Sequence, residues 1–419
     1  MQAHAAPVSP GERIATLDAI RGFALLGIFI MNMPAFYGSI FAGAGGILPW
    51  PQWWNRSAEI VRDVIFSGKF NSMFSMLFAL GFTIQLERLR AREPQRAVAI
   101  YLRRTFWLLV FGMLHACLFW VGDILHMYAL FGFLLLVLYR FSDRAILVLI
   151  ALCVAYPAVS GVVRVAMSTP QTLEQLTALV QSAYAADNAI LGQGSSFWQA
   201  AQHNAHTMVV LYTNELLRWN LLGGYMQILT TMLLGLLLGR HRFFQNSAQH
   251  LPLVRRTQWW ALAVGILCGV VYGAWEATVQ NRLEPTVWKV IASMSYVLCR
   301  VGIMVFYVCL IVRGMHNGRW RRWLSPVVLM GRMPLTNYLL QTLIGTSLFY
   351  GWGLGFWGEV GPALGLVIPV VIFFAIQYPL TRWWLNRFQL GPMEYLWRVL
   401  TYGKPALRSI VMAPPAQAA

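Results

Sequence analysis

Tyr101–Tyr139 reads YLRRTFWLLVFGMLHACLFWVGDILHMYALFGFLLLVLY, and this stretch decides the fold. It contains two apolar runs joined by a short turn at Gly122. Each run approaches the length that a helix needs to cross the hydrocarbon core of a bilayer, about 30 Å. Arg103 and Arg104 mark one end, and Arg140 marks the return to the same side. The stretch therefore predicts a helical hairpin that crosses a membrane.

The middle of this hairpin carries three ionisable side chains in otherwise apolar sequence. His115, Asp123 and His126 are the only Asp, Glu, His, Lys or Arg residues within 105–139. Such groups are costly at membrane depth unless they are paired or hydrated, so they mark a functional site by default. A histidine beside a carboxylate can take a proton from a hydroxyl. In a regular helix, however, eight residues are too many for a direct bond, so a helix break near Gly122, a neighbouring helix or a water is required.

A structural role for the same residues stays open. Asp123 could cap the second helix, and His115 could hydrogen-bond a neighbouring helix.

The composition extends the prediction to the whole chain. Of its 419 residues, 58% are hydrophobic and 11% are charged, and the mean hydropathy is +0.57. A soluble domain carries about 25% charged residues. The fold class is therefore all-α, a polytopic integral membrane protein with about ten transmembrane helices. We predict them at roughly 19–38, 64–86, 105–122, 124–139, 145–166, 222–240, 259–279, 290–312, 326–350 and 362–384.

The distribution of basic residues predicts the topology. The net charge is +17. With both termini in the cytoplasm, most arginines and lysines fall in inside loops, as membrane topology requires. The predicted outside loops hold only Arg56, Arg62, Arg164, Arg218, Arg282 and Lys289. The charge is thus explained by sidedness, and we expect membrane lipid and no nucleic acid as a partner.

The chain is predicted to form one transmembrane domain over 1–404, followed by a disordered tail at 405–419. Two outside segments, about 39–61 and 167–221, are longer than connectors need to be. The second is polar enough to contain one or two amphipathic helices, either as a lid or as a solvated connector.

The N-terminus lacks a signal-peptide layout, so the first apolar run is expected to stay as an anchor. The five cysteines show no CxxC spacing, and we predict neither disulfides nor a metal site.

Polar residues near the predicted inside ends of two spans form a second group of candidates. Arg21 lies three residues after Asp18 on one helical face, and a guanidinium is well suited to an anionic ligand from the cytoplasm. Asn32 follows eleven residues later. Arg332 lies at the entrance of span nine, and Asn337 and Gln341 follow within that span. Polar contacts between helices explain Asn337 and Gln341 equally well.

Four further charged residues fall inside or beside apolar runs. Arg300 has no acidic neighbour in its own helix, so it must meet a carboxylate, carbonyls, water or a ligand phosphate. Lys69 is expected to extend to the outer surface. Glu394 and Arg398 lie at i and i+4 on an amphipathic helix, which we interpret as a structural ion pair.

The order of these motifs resembles the YeiB-like bacterial membrane proteins, a domain of unknown function. The matching segments cover nearly the whole chain and are LDAIRGFALLGIFIMN (17–32), FSGKFNSMFSMLFALGF (66–82), GMLHACLFWVGDILHMYAL (112–130), GRMPLTNYLLQTLIGTSLFYGWGLG (331–355) and GPMEYLWRVLTYG (391–403).

The resemblance implies a link to the transmembrane acyltransferases, which include the acyltransferase-3 proteins and heparan glucosaminide acetyltransferase. In that group a cytoplasmic acyl-CoA donates to an acceptor across the membrane. Acyltransferase-3 proteins carry a catalytic His at the position of Asn32, and an asparagine cannot act as a base. His115, with Asp123, is then the candidate base, or the branch does not transfer acyl groups. The resemblance also implies a homodimer by analogy.

The resulting hypothesis is an acyltransferase of the bacterial inner membrane. Acyl-CoA would bind near Arg21, Arg103, Arg104 and Arg332. His115 and Asp123 would be catalytic, and the remaining candidates, Asn32, Arg300, Asn337 and Gln341, would contact substrate. The acceptor would be an envelope glycan, lipid or peptide. A transporter or flippase that uses Lys69, Arg300 and Asp123 is the alternative, and a non-catalytic membrane scaffold or sensor is the third.

Overall fold

The computed structural model describes residues 14–43, 47, 49–192, 194–279 and 281–403, without the side chains of 218–220. The predicted tail at 405–419 lies outside this part. The α-helices are α1 (Ala15–Asn32), α2 (Pro34–Tyr37), α3 (Trp53–Val61), α4 (Lys69–Arg92), α5 (Ala97–Leu118), α6 (Leu125–Leu138), α7 (Asp143–Met167), α8 (Pro170–Leu191), α9 (Phe197–Thr213), α10 (Glu215–Arg240), α11 (Leu251–Thr278), α12 (Val287–Met315), α13 (Gly318–Met330), α14 (Pro334–Phe349), α15 (Pro362–Ile372), α16 (Tyr378–Leu385) and α17 (Pro392–Tyr402).

These helices confirm the all-α polytopic membrane fold, and no strand occurs in the described ranges. Short π-helical segments, Arg62–Phe66 and Phe373–Gln377, join α3 to α4 and α15 to α16. Among the residues that the structure describes, eight helical stretches are long and apolar enough to cross a membrane: Ala15–Tyr37, Trp53–Arg92, Ala97–Leu118, Asp143–Met167, Leu221–Arg240, Ser247–Thr278, Val287–Met315 and Pro362–Leu385. The other two predicted spans correspond to the shorter helices α6 and α14. The count of ten and the sidedness stay predictions.

The predicted ninth span at 326–350 is wrong as one continuous helix. Helix α13 ends at Met330 and α14 starts at Pro334, because the chain breaks where it meets α1. A Cβ on Gly331 would lie 1.9 Å from the carbonyl oxygen of Asp18, and a Cβ on Gly22 would lie 1.8 Å from that of Val327. Only glycine permits this backbone approach.

A second break separates α5 from α6 at residues 119–124. Gly112 lets α5 pack against the start of α6, since a Cβ there would lie 2.2 Å from the backbone nitrogen of His126. Trp120 is buried in this turn, 4.8 Å from the ring of Phe36 between centroids. The turn is therefore part of the packed interior.

The outer segment predicted at 167–221 folds mainly as α8 and α9, which cover the break between α5 and α6. Both helices start with a capping box, at Thr169 and Ser196. Phe197 of α9 packs on Phe119 of the turn at 5.6 Å between ring centroids. Asp187 of α8 accepts hydrogen bonds from Ser39 at 2.5 Å and from His203 at 2.7 Å. The segment is thus a two-helix cover tied to the membrane helices.

Lys69 differs from its predicted contact, and Glu394 makes contacts that the sequence did not predict. Lys69 does not reach the outer surface. It is fully buried and donates to the carbonyl oxygen of Asp63 at 2.6 Å, because the π-helical segment folds back over the start of α4. Glu394 caps α14: its carboxylate accepts from the backbone of Leu335 at 2.7 Å and Thr336 at 3.1 Å, and from the Thr336 hydroxyl at 2.5 Å. Helix α17 is thereby fixed against the break before α14.

Candidate functional site

Asp123 joins two histidines into one hydrogen-bonded group. Oδ1 lies 2.7 Å from Nδ1 of His115, and Oδ2 lies 2.8 Å from Nδ1 of His126 and accepts the backbone N–H of His126 at 2.9 Å. All three side chains are at least 95% buried in the packed interior. The break at 119–124 turns the chain back so that Asp123 meets His115. A helix break near Gly122 was one of the conditions under which the sequence allowed a direct bond between these two residues.

These contacts define the histidine tautomers. An ionised carboxylate only accepts hydrogen bonds, so each histidine presents Nδ1–H to Asp123. The Nε2 atom of His126 then accepts from the hydroxyl of Tyr212, 2.7 Å away in α9. The Nε2 atom of His115 is buried and has no partner among the described residues. His115 therefore carries a free lone pair on the nitrogen opposite its carboxylate, which is the arrangement of a general base.

A cavity of about 370 Å³ runs from the ends of α1 and α4 into the helix bundle. Along α1 it extends from Ile14 to Ile28, which is about 21 Å at ~1.5 Å per residue. Its inner walls are almost entirely apolar and aromatic, formed among others by Leu17, Phe74, Leu77, Phe78, Phe82, Leu108, Leu125 and Leu335. Gly81 adds space, because nothing lies within 4 Å of where its Cβ would be.

The mouth of the cavity is basic. Six arginines line it: Arg21, Arg88, Arg92, Arg104, Arg332 and Arg398. Arg21 pairs with Asp18 at 2.7 Å, and the Arg104 guanidinium stacks on the ring of Trp397 at 3.7 Å. Glu394 is the one other acidic residue among the lining residues, and burial raises the pKa of its carboxyl above the ordinary value. The first described residues of α1 and the end of α17 both line this mouth, so the two described ends of the chain share one face.

Tyr338 connects the inner end of the cavity to the histidine group. It lines the cavity, and its ring centroid lies 5.3 Å from that of His115. Its hydroxyl accepts the backbone N–H of Ile124, another lining residue, at 3.4 Å. An apolar chain with an anionic end group fits this shape, with the anion at the arginines and the chain directed to the histidines.

The structure brings together five of the ten predicted site residues. Arg21, Arg104 and Arg332 line the cavity, and His115 and Asp123 lie behind Tyr338 at its inner end. The remaining five do not line it. Among these, Arg103 is exposed and donates to the carbonyl oxygen of Leu400 at 3.1 Å, and half-buried Asn32 is the last residue of α1.

Asn337 and Gln341 form contacts between helices. Asn337 donates to the carbonyl oxygen of Met330 at 3.1 Å and accepts from Thr381 at 3.0 Å. Gln341 donates to Leu25 at 3.3 Å and to Gln377 at 3.2 Å. The Asn337 side chain thus joins α14 to α13 and α16, and the Gln341 amide N–H group joins α14 to α1 and to the π-helical segment between α15 and α16. These are the contacts between helices that the structural alternative describes.

Sequence reasoning missed Tyr338, Tyr212 and Gly81. Tyr338 lies in the same segment as Arg332, and a phenol at membrane depth is a usable signal. Tyr212 carries no comparable signal, because only the packing of α9 over the break places it at His126. In the described ranges, no three His, Cys, Asp or Glu side chains are arranged to hold a metal ion.

Comparison with known proteins identifies the family. Residues 238–404 match the family described as "Protein of unknown function (DUF418)". The Bacillus subtilis (strain 168) protein YxaH is 30% identical over 406 residues, covering 94% of this chain and 96% of the relative. Escherichia coli (strain K12) YeiB is 29% identical over 427 residues, 93% and 96% of the two chains. The chain belongs to the YeiB-like DUF418 family.

A third relative, the 39.9 kDa protein in the amylase 3' region of Bacillus acidopullulyticus, is 26% identical over 404 residues. It covers 95% of this chain and 96% of the relative. The matched DUF418 region supplies Arg332, Tyr338 and Glu394 to the cavity, while Arg21, His115 and Asp123 precede it. The candidate site therefore needs nearly the full length of the YeiB-like chain.

Proposed function

We propose that this multi-pass membrane protein is an acyltransferase of the bacterial inner membrane. It would move an acyl group from cytoplasmic acyl-CoA to an envelope or periplasmic acceptor. The observation that carries the proposal is the cavity with a basic mouth and apolar walls that ends at Tyr338, next to the unpartnered Nε2 of His115.

The donor is held by charge at the mouth and by apolar contact inside. The phosphates of coenzyme A lie at Arg21, Arg104 and Arg332, whose guanidinium groups suit bidentate phosphate contacts. The acyl end enters the apolar interior, where burial of methylene groups contributes about 0.8 kcal/mol each. Burial thus favours a donor with an acyl chain over free coenzyme A.

The histidine group supplies the proton transfers. Nε2 of His115 takes the proton of an acceptor hydroxyl or amine as that group attacks the thioester carbonyl carbon. The C–S bond then breaks, and the same imidazolium returns its proton to the leaving thiolate, giving free coenzyme A. Asp123 holds Nδ1–H at 2.7 Å and stabilises the charged imidazolium between the two steps. The hydroxyl of Tyr338, which lines the cavity beside His115, would donate to the developing oxyanion.

The acceptor approaches from the opposite side, beneath α8 and α9. These helices cover the break at 119–124 and contribute Tyr212 to His126. Movement of this cover would admit a glycan, lipid or peptide while the donor stays at the other face. The cover also excludes water, which limits hydrolysis of the thioester.

A transporter or flippase is the second candidate, and buried Lys69 and Arg300 favour it. Both are cations inside the bundle and outside the cavity, and a transporter uses such groups at its substrate site. The transporter hypothesis predicts that the protein moves an anion across the membrane without consuming acyl-CoA.

The test is acyl transfer by purified protein in nanodiscs, with labelled acyl-CoA and envelope extract. We expect His115→Ala to lower transfer at least about 100-fold while acyl-CoA still binds, because the base is lost and the mouth is intact. His206→Ala is the matched control, since this histidine is exposed on α9. Full transfer by His115→Ala, or no binding of any acyl-CoA by the wild type, would refute the proposal.

A further inference from the structure

Two cations lie buried side by side at the start of α4, away from the cavity. Lys69 is fully buried and Arg300 of α12 is 6% exposed. They are linked through Gly68, which precedes Lys69 and whose Cβ would lie 3.1 Å from Nε of Arg300. Gly68 has a φ of +77°, so the glycine is needed both for its backbone conformation and for this close approach.

Neither cation has a carboxylate partner in the part of the chain that the structure describes. Lys69 bonds the carbonyl oxygen of Asp63, and its ammonium lies 5.1 Å from the ring centroid of Tyr296. The Asp63 carboxylate is used by Arg62, at 2.9 Å from its Nε. Two buried like charges without a counter-ion are strongly unfavourable in an apolar surrounding. The α4 N-terminus adds a further partial positive charge.

Arg300 is held by neutral oxygen atoms that leave part of its guanidinium unused. Its Nε donates to the hydroxyl of Ser72 at 2.5 Å, and its Nη1 donates to the side-chain oxygen of Gln227 in α10. The Nη2 atom has no acceptor among the described residues. Gln227 is half-buried, so an oxygen atom from outside the chain can replace its amide oxygen at the guanidinium.

We propose that Lys69 and Arg300 form a binding site for a phosphate-type oxyanion, separate from the acyl-CoA cavity. A guanidinium with free N–H groups, an ammonium and the hydroxyls of Ser67 and Tyr296 match the several acceptor oxygens of a phosphate. The Ser72 hydroxyl donates to the carbonyl oxygen of Gly68 at 2.8 Å and so positions Arg300 rather than the anion. Ser67 and Tyr296 bond each other at 3.2 Å and are both half-buried, so they mark the open side of the site. The phosphate comes either from solution or from a lipid headgroup.

The test measures thermal unfolding of the lipid-stripped protein in maltoside micelles. One arm titrates inorganic phosphate at constant ionic strength against sodium chloride. The other titrates a short-chain phosphatidic acid. We expect a saturable rise of the unfolding midpoint by about 2–4 °C in at least one arm. A rise in the first arm identifies a free anion, and a rise in the second arm alone identifies a lipid headgroup.

Variants assign the effect to this site. Arg300→Gln should abolish the rise, whereas Arg332→Gln should keep it, because Arg332 belongs to the cavity mouth. Gln227→Glu supplies a built-in carboxylate to Arg300. It should raise the midpoint without added phosphate and remove the response. This gain keeps the test decisive even if Arg300→Gln fails to fold.

No rise in either arm, or a rise that Arg300→Gln and Gln227→Glu both retain in full, would overturn the proposal, whereas anion bound in the cavity mouth leaves only a remainder that these variants keep. A rise lost in Arg332→Gln instead would place the anion in the cavity mouth and would equally refute this site. None of these outcomes bears on His115 or on acyl transfer, so the second site stands or falls independently of the proposed activity.

Discussion

Oδ1 of Asp123 lies 2.7 Å from Nδ1 of His115 although eight residues separate them, because α5 ends at Leu118 and the chain turns back. The same carboxylate bonds His126 through the side chain and the backbone. One acidic group therefore orients the candidate base and caps the following helix at the same time. The structural contacts that the sequence proposed for Asp123 are present, and its catalytic role stays a prediction.

Asp123→Asn separates the catalytic role from the capping role. The asparagine side chain keeps an acceptor for the His126 N–H but cannot accept from both Nδ1–H groups, so His115 loses its fixed tautomer. We expect transfer to fall at least about 100-fold and the unfolding midpoint to fall by a few degrees. Transfer rates measured with labelled acyl-CoA check the first expectation, and a thermal unfolding scan checks the second. Unchanged rates in a folded variant would exclude Asp123 from catalysis.

Arg332→Gln tests the basic mouth. Loss of one guanidinium should weaken acyl-CoA binding about tenfold and reduce its dependence on salt, since one phosphate contact disappears. Arg103→Gln should change binding by less than about twofold, because Arg103 is exposed and bonds a backbone carbonyl outside the cavity. Calorimetric titration at two ionic strengths compares the two variants. Equal losses would show that only the general positive charge of this face matters.

Gly81→Leu tests where the acyl chain lies. The glycine is in α4 on the cavity wall with open space beside it, so leucine can be accommodated and fills part of the cavity. Long-chain acyl-CoA should then bind at least about tenfold more weakly, while acetyl-CoA is little affected.

Gly223→Leu in α10 is the matched control, because it also has nothing within 4 Å of its Cβ but does not line the cavity. If Gly81→Leu and Gly223→Leu show the same relative affinity for long-chain acyl-CoA and acetyl-CoA, this placement of the acyl chain is wrong.

Glu394 gives a stability effect that depends on pH. Burial raises the pKa of its carboxyl above 4.5, so the protonated form is favoured in the folded protein. Its contribution is complete below about pH 4.5 and is lost as the pH rises through the folded pKa. The unfolding midpoint of the wild type should therefore fall relative to Glu394→Gln as the pH is raised from 4.5 to 7.

Glu394→Ala serves as the comparison, because it removes the cap of α14 altogether. It should cost about 1–2 kcal/mol below about pH 4.5, and this cost should shrink as the pH rises through the folded pKa. A wild-type midpoint that rises against Glu394→Gln over this range would reverse the assigned direction of the pKa shift.

Local sequence patterns are sufficient to predict the helical membrane fold and to single out the most informative residues. The lengths of the apolar runs determine that helices cross a bilayer, since a chain in hydrocarbon must satisfy its own backbone hydrogen bonds. His115 and Asp123 lie alone in apolar sequence. Ionisable side chains at such positions need partners, so the sequence marks both residues as candidates for a functional site. Both inferences depend on local pattern alone, and the family resemblance rests on the same segments.

The tertiary structure decided what these residues contact. Glu394 reaches Leu335 and Thr336, some 60 positions away in the chain, and Lys69 meets the Asp63 carbonyl rather than solvent. The cavity exists only because α1, α4, α5, α14 and α17 leave space between them. Sequence spacing predicts neighbours within one helix, whereas contacts between helices depend on backbone approaches such as Gly22 with Val327, which no local pattern encodes.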